Sequence, residues 1–430
     1  MHPSPEILAP RAGFTYVDGR LSAAGVALES VLARLGPAWV YDGERIDAAA
    51  RALVAAFPAP GAGVRYAIKA NSNPAVLARV RAHGLGAEVA SGGELALALA
   101  AGFAPGTLVL NGNGKTDAEL AAAVAAGIGL VSADSPVELD RLERAAARAG
   151  RTQRALLRVN PDVDAHTHPY IATGLAETKF GMTPHEALAS CARTGDWPHV
   201  TIAGLHVHIG SQILDLHPLE DALAEALQIV DAGRAAGAPL EVLDLGGGFG
   251  IDYAGDGAAF PLSAWGGAVC AAARTRGLTA LVEPGRYVVG DAGVLVARVL
   301  DVKRAPSRTF VVLDVAMNDL LRPALYEAHH RIVPLVEPVP GSGLLVADVV
   351  GPVCESGDTF ARARPLSPLV AGDGVAILDA GAYGYAMSSN YNGRPRLPEV
   401  LVEGGHARLV RRGETLPDLD RLACDEPLRP

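Results

Sequence analysis

"RYAIKANSNP", residues 65–74, runs from a short apolar segment through a lysine into an Asn-Ser-Asn-Pro turn. The chain holds 37 basic residues but only four lysines, so a bare positive charge at position 69 would be expected as arginine. Lysine can do what arginine cannot: lose its proton and form a Schiff base with an aldehyde. The reading of this stretch as a strand that ends on a reactive amine sets the question of what surrounds it.

Working outward, short runs rich in Val, Leu and Ile alternate with helical patterns from residue 64 to 282, the signature of βα units around a parallel sheet. Strands are expected near 64–68, 86–89, 107–110, 129–131, 155–159, 202–208, 241–245 and 278–282. Eight parallel strands in that length match a closed (β/α)8 barrel of the TIM type, which usually takes roughly 250 residues. "SGGELALALAAG" and "SPVELDRLERAAARAG" open with Ser and place Glu three residues on, the capping-box pattern of a helix start. The barrel is assigned to residues 44–287.

After about residue 287 the pattern changes to β-branched runs broken by Gly and Pro, as in "VLVARVLDVKR" and "VAILDAGAYG". A mainly antiparallel β domain is expected from 288–430, joined by strands from residues 1–43 such as "FTYVDGRL" and "AWVYDG". The fold class is therefore α/β, a barrel plus a β domain, with a loosely ordered tail from about residue 412.

Composition narrows the partners. A net charge of -10 with both signs scattered argues against nucleic acid, no apolar run approaches a membrane span, and the start "MHPSPEILAP" lacks a secretory pattern. The expected location is the cytoplasm. Four separated cysteines, Cys191, Cys270, Cys354 and Cys424, suit free thiols better than disulfides or a zinc site.

Barrel enzymes keep their chemistry at the C-terminal ends of the strands. The residues just past each run are Lys69, Glu88 with Ser91, Asn111, Asp134, Arg158, His208 with Ser211, Gly246 to Gly248, and Glu283 with Arg286. Some of these, such as Ser91 and Asp134, can equally cap helices. "DLGGGFG" and "EPGR" follow strands seven and eight, where glycine lets backbone N–H groups approach a phosphate. A dinucleotide fingerprint is discounted: Gly-x-Gly-x-x-Gly fails at Ile251 and no acid follows at the ribose position. His206 and His208 lie at strand spacing and raise a metal site as a second reading, but the other strand ends offer Lys, Arg and Gly instead of ligands. No metal is assigned, and His206 is read as packed.

A Schiff-base lysine, a glycine-lined phosphate site, a flat imidazole at His208 and an acid at Glu283 suit pyridoxal 5'-phosphate. The Glu283 carboxylate would keep the pyridine nitrogen protonated, and a desolvated Lys69 would lose its charge more easily. In the β domain, Cys354 sits in "GPVCESGD" among polar groups, as a proton donor could, whereas Cys191, Cys270 and Cys424 read as inert core thiols. Arg322 and Tyr326, four apart with Pro323 in the first turn, could together hold a carboxylate.

With these motifs in place, residues from about 60 to 400 resemble the diaminopimelate decarboxylases, pyridoxal-phosphate enzymes of the alanine-racemase-like barrel fold that also includes ornithine and arginine decarboxylases. "YAIKAN", "EVASGGEL", "RVNPDVDAHTH" through "TGLAETKFGM", "GLHVHIGSQI", "DLGGGFGIDY", "EPGRYVVG", "MNDLLRPALYEAHH", "GPVCESGD" and "DAGAYGYAMSSNYNGRPRLPEV" carry the resemblance. It implies that Lys69 forms the Schiff base, that His208 stacks on the ring, and that Ser211, Gly246, Gly247, Gly248, Glu283, Pro284, Gly285, Arg286 and Tyr383 bind the cofactor. It implies further that Arg286, Arg322, Tyr326, Glu355 and Tyr383 bind substrate, and that Cys354 is the catalytic acid, delivered from the partner subunit of a homodimer. Two positions depart from the family pattern: Glu88 stands for the usual Asp and Ala316 for a common Gly.

The expected reaction is decarboxylation of meso-2,6-diaminopimelate to L-lysine and CO2, the last step of lysine biosynthesis. Arg322 and Arg286 favour a substrate with a distal carboxylate over a bare diamine, and Glu355 answers its ammonium. The alternatives are a decarboxylase of another carboxylate-bearing amino acid of the carboxynorspermidine kind, an alanine racemase, and a non-catalytic pyridoxal-phosphate-binding regulator.

Overall fold

A computed structural model describes residues 13–161, 163 and 179–424. The chain divides into two compact units, one formed by Ile46–Asp252 and Ala258–Val289, the other by Met1–Arg45, Tyr253–Gly257 and Gly290–Pro430. The stretch from "RVNPDVDAHTH" to "TGLAETKFGM" lies largely outside the described residues.

The first unit is a closed barrel of eight strands. They are Ala62–Ala67, Gly86–Val89, Leu108–Leu110, Leu130–Ala133, Gln153–Val159, Val200–Val207, Val242–Asp244 and Thr279–Val282. All neighbours are parallel, and the eighth strand closes on the first through Ala280↔Ala62, Leu281↔Gly63 and Val282↔Val64. Each expected strand is present, with ends that move by a few residues.

The outer helices start largely where the sequence places their caps. Ser91 and Ser135 each accept from the backbone N–H three residues on, at Glu94 and Glu138. The reciprocal half of the box is missing at both: Glu94 accepts from Ala90 N–H, and Glu138 is drawn to the Lys115 amine. Complete boxes occur instead at Thr116 with Glu119 and at Thr183 with Glu186. A buried lysine competes for Glu138 because an ammonium is a stronger partner than one backbone N–H.

The interior of the barrel is layered. Val109, Leu130, Leu156, Ala203, Val242 and Leu281 form an apolar floor. Residues two apart on a strand share a face, so the next inward positions on five of those strands are Asn111, Ser132, Arg158, Asp244 and Glu283. All five are polar and buried.

In the second unit, Ala38–Asp42 pairs antiparallel with Gly293–Arg304 and parallel with Glu399–Glu403 in a nine-stranded sheet. Phe14–Val17, Arg20–Ala23 and Val26–Ala27 form their own three-stranded sheet. The N-terminal strands thus divide between two sheets, yet Phe14, Leu21 and Val26 share one core with Val40, Val294 and Val400. The segment after residue 412 is more ordered than its composition suggests: Thr415 and Asp418 form a capping box on the helix Leu416–Leu419, and Arg412 bonds to Asp418. Among the described residues no helix is long and apolar enough to cross a membrane.

Candidate active site

Lys69 leaves the first strand in a single 3-10 turn, Ile68–Ala70. The loop behind it is fixed by its own polar groups. The Tyr66 hydroxyl donates to Asn71 O at 2.9 Å, Asn73 N–H donates to Asn71 Oδ1 at 3.0 Å, and Asn73 Oδ1 caps the following helix by accepting from Ala75 N–H at 2.9 Å. The Lys69 amine donates to both oxygens of Glu88, at 3.1 and 2.9 Å. Glu88 is fully buried, whereas the Lys69 side chain keeps 44% of its surface exposed. Lys69 is held there by an ion pair. Glu88, one methylene longer than aspartate, makes that contact.

Glu283 ends the eighth strand as one of the buried acids of the barrel interior. Asn111 Nδ2 donates to its Oε1 at 2.6 Å, and His206 Nε2 lies 3.4 Å from its Oε2. His206 is turned by Ser132, whose hydroxyl is 2.8 Å from Nδ1. Asp244, fully buried on the seventh strand, joins this group: one ligand atom from each of His206, Asp244 and Glu283 lies within 4.8 Å of the others. His206, read from sequence as packed, is thus part of a polar cluster. Asn111 was visible as a strand-end residue without a role, while Ser132 and Asp244 were missed. The signal was available: each sits two residues before a strand-end position, at Asp134 and Gly246.

The two glycine loops meet beside this cluster. Gly246 has φ +60° and Gly248 +96°, the left-handed region that glycine enters without strain. A Cβ on Gly247 would stand 2.2 Å from Glu283 O, and one on Gly246 would stand 2.6 Å from His208 Nδ1. Glu283 N–H donates to Gly246 O at 2.7 Å, and Ala67 N–H donates to Pro284 O at 3.2 Å, which ties both loops to the first strand. Gly285 packs beside Ala67 and Ala70. Gly247 N–H donates to His208 Nδ1 at 3.2 Å, so Nδ1 is an acceptor and the ring is the neutral tautomer. Burial, with the charges of Lys69 and Arg158, holds the His208 imidazole well below its ordinary pKa, in agreement. Arg286 is buried and donates to Ser211 Oγ at 2.8 Å. Asp134 does not cap a helix. It faces Arg158 at 3.7 Å.

The other expected residues lie in the second unit. Cys354 is exposed, and its N–H donates to Asn392 Oδ1 at 3.0 Å. Asp358 clamps the same loop, accepting from Val353 N–H and Met317 N–H, both at 2.7 Å. Next to Cys354, Glu355 accepts from the Tyr391 hydroxyl and pushes that phenol up. Arg322 and Tyr326 begin and end a short helix with Pro323 in its first turn. Arg322 is buried, donates to His330 Nε2 at 2.8 Å and lies 4.7 Å above the Tyr253 ring. Tyr383 has φ +57°, a conformation costly for a bulky residue. Gly384 beside it sits where a Cβ would be 2.5 Å from the Trp39 ring. Ala316 is fully buried and its N–H donates to Asp319. Of the remaining thiols, Cys191 is buried and pushed up to about 11 by that burial, while Cys270 is partly exposed. Cys424 is exposed, so it is no core residue.

A closed parallel barrel with an amine after strand one, a carboxylate at the end of strand eight and a glycine cradle between them defines a pyridoxal-dependent barrel enzyme. Residues 44–290 match the family described as "Pyridoxal-dependent decarboxylase, pyridoxal binding domain". Diaminopimelate decarboxylase of Zymomonas mobilis is 40% identical over 95% of this chain and 97% of its own length, and that of Pseudomonas aeruginosa 44% identical over 94% and 97%. The crystal structure of the Helicobacter pylori diaminopimelate decarboxylase complexed with L-lysine superposes with a TM-score of 0.87 at 38% identity, covering 92% of this chain and 98% of that one. That of M. jannaschii, in co-complex with L-lysine, gives 0.90 at 33%, covering 96% and 98%. The chain belongs to the diaminopimelate decarboxylase family. The residues present fit the cofactor: the glycine loops have no room for a Cβ, the donor set suits a phosphate, and the buried carboxylate faces inward with an amine on the adjoining strand.

Proposed function

We propose that this chain decarboxylates meso-2,6-diaminopimelate to L-lysine and CO2, as a cytoplasmic homodimer acting at the last step of lysine biosynthesis. The observation that carries the reading is that an amine, Lys69, and a buried carboxylate, Glu283, stand just past the C-terminal ends of the adjoining first and eighth strands. Pyridoxal phosphate, when bound, supplies an aldehyde for amines and a ring that accepts the electron pair released when a bond at the substrate α-carbon breaks.

The chain's own residues do the rest. Lys69 would supply the amine that holds the cofactor through its aldehyde. Glu88, paired with Lys69, fixes where that amine stands. Glu283 holds a proton at the ring nitrogen, and neutral His208 offers a flat uncharged face for the ring. Ser211, Arg286 and the N–H groups of Gly246 to Gly248, with Pro284 and Gly285 shaping the second loop, hold the phosphate. Arg322, Tyr326, Arg286 and Tyr383 bind the substrate carboxylates, and Glu355 takes the distal ammonium. The guanidinium groups disfavour a substrate that ends in a bare amine. Cys354 gives its Sγ proton to the α-carbon that has lost CO2 and recovers one from solvent. It serves the Lys69 site of the partner copy.

The test is to incubate purified protein and pyridoxal phosphate with meso-diaminopimelate and measure lysine and CO2, then to trap the cofactor with borohydride and map the labelled peptide. Equimolar lysine and CO2 with label on Lys69 are expected. Absence of lysine, or label on Lys115, Lys179 or Lys303, overturns the reading.

A further inference from the structure

The barrel interior holds more polar chemistry than the proposed reaction uses. Such interiors are ordinarily packed layers of bulky aliphatic side chains, yet directly above the apolar floor Ser132, His206, Asp244, Glu283 and Asn111 meet out of reach of solvent. A polar group buried without a partner gives up its hydration and gains nothing in return, so its presence calls for a reason. Three atoms of this layer have no hydrogen bond: Asn111 Oδ1, His206 Nε2 and Asp244 Oδ2. His206 and Asp244 belong to the group that converges on Glu283.

The other atoms of the same side chains are committed. Ser132 Oγ takes His206 Nδ1 at 2.8 Å, Gly246 N–H takes Asp244 Oδ1 at 2.9 Å, and Asn111 takes Glu283 Oε1. With Nδ1 accepting from the serine hydroxyl, the imidazole carries its proton on Nε2, toward Glu283 Oε2. Asp244 thus spans the cradle, one oxygen on the first glycine of the phosphate loop and the other in the cluster around the carboxylate. Arg65, on the first strand, extends the cluster on its far side: it occupies the space left by Gly86, where a Cβ would stand 2.6 Å from its Cδ.

We propose that His206 and Asp244 are positioning residues that hold the Glu283 carboxylate in the orientation from which it keeps the ring nitrogen of pyridoxal phosphate protonated. The proposal rests on the cofactor reading above. Asn111 fixes one oxygen of Glu283, and His206 fixes the other. With both acids buried and one ligand oxygen of each within 4.8 Å of the other, a single negative charge on the pair is favoured, with the proton on Asp244. Burial raises both acids. On Asp244 the neighbouring charge of Glu283 adds to that rise, whereas the His206 Nε2–H that faces it, followed by the charge of Lys69, pulls Glu283 down below the usual carboxylate range. The charge of the pair therefore sits on Glu283.

Four variants test this, each loaded with pyridoxal phosphate enriched in 15N at the ring nitrogen. Gln reproduces the position of His Nε2, and Asn that of Nδ1. Asn at 244 can still donate to Glu283 and accept from Gly246, and Leu can do neither. His206→Gln and Asp244→Asn are expected to keep the ring-nitrogen resonance of the parent and its cofactor affinity. His206→Asn and Asp244→Leu are expected to move that resonance toward neutral pyridine and to weaken cofactor binding about 10–100-fold, the usual effect of removing a group that orients a ligand from behind. Asp244→Leu also removes the acceptor of the Gly246 N–H. If it does not fold, the His206 pair, which leaves that bond intact, decides the matter. An unmoved resonance in His206→Asn overturns the proposal, because a merely structural role would change stability and not the ring nitrogen. So does a stoichiometric metal ion released by acid from the purified protein, since it would give the three groups another occupant. Borohydride label on Lys69 of the parent keeps the two questions apart: with the label present and the resonance unmoved this proposal alone falls, and without the label the cofactor reading falls and takes this one with it.

Discussion

Replacing Gly247 with alanine isolates the contact between the two cradle loops. Its φ lies outside the positive range, so alanine is not excluded by backbone conformation, and the consequence is steric. The added Cβ would stand 2.2 Å from Glu283 O and 3.0 Å from Glu283 C. Carbon and carbonyl oxygen normally approach no closer than about 3.3 Å, so the loops must part by roughly 1 Å. They are not free to do so: Glu283 N–H is held by Gly246 O at 2.7 Å, and Pro284 O accepts from Ala67 N–H. Forcing a methyl into such packing costs about 1–3 kcal/mol, a fall of roughly 2–4 °C in Tm for each kcal/mol in a unit of this size. The functional loss should be larger, because moving a reacting group by about 1 Å can lower turnover about 100-fold. The control is Gly267→Ala on the outer helix Leu262–Arg276, where nothing lies within 4 Å of the new methyl. That change should stabilise by about 0.4–1 kcal/mol and leave activity alone. Thermal melts, cofactor titration and lysine release on both variants make the comparison. A Gly247→Ala enzyme that binds pyridoxal phosphate and turns over like the parent refutes the account of the cradle.

Three other outcomes are expected. Arg322→Ala should lose about 2–5 kcal/mol of binding or transition-state stabilisation toward diaminopimelate, as typical for a buried charge deprived of its partner, and unchanged kcat/KM would remove Arg322 from the substrate site. Cys354→Ala should keep the visible absorbance of the bound cofactor yet turn over slowly, and normal turnover would acquit the thiol. Asp319, raised to about 7 chiefly by burial and by the nearby Asp358 and Asp314 against the Ala316 N–H and Arg394, binds a proton in the folded state that it gives up when unfolded. Its stabilising protonation is complete below the unfolded carboxylate range near pH 4 and is lost as pH rises to about 7. Asp319→Asn should therefore gain stability over the parent progressively across that window in denaturant titrations, and a difference that ignores pH would sink the explanation.

The strand positions were legible because a parallel barrel strand is buried on both faces and reads as an uninterrupted run of Val, Leu and Ile. Their ends were legible because Lys69, His208 and Glu283 interrupt those runs. What the pattern hid is the inward layer one step earlier. Ser132 and Asp244 stand inside strand segments, where a polar residue gives no sign of whether it faces the barrel axis or a helix. Only register fixes that, and register is set by pairing with neighbours far along the chain. The Lys69–Glu88 ion pair was hidden for the same reason, since adjacent strands bring together residues that no local spacing links. At the N-terminus, "FTYVDGRL" announced strands but not their partners, and its hairpin closed into its own small sheet. Cys424 shows the limit of composition, because an apolar residue type says nothing of burial near a chain end.

The closure of the eighth strand on the first fixes the order in which this molecule can become an enzyme. A chain emerging from the ribosome presents Lys69 early and Glu283 only after nearly the whole barrel has been made. Until the last strand zips against the first, the amine and the acid have no common neighbourhood, and a vitamin-derived aldehyde has nowhere to settle. Pairings so remote along the chain form slowly. Capture of the cofactor therefore reports completion of the barrel, and a nascent chain stalled before Thr279 is inert regardless of how many of its helices have formed.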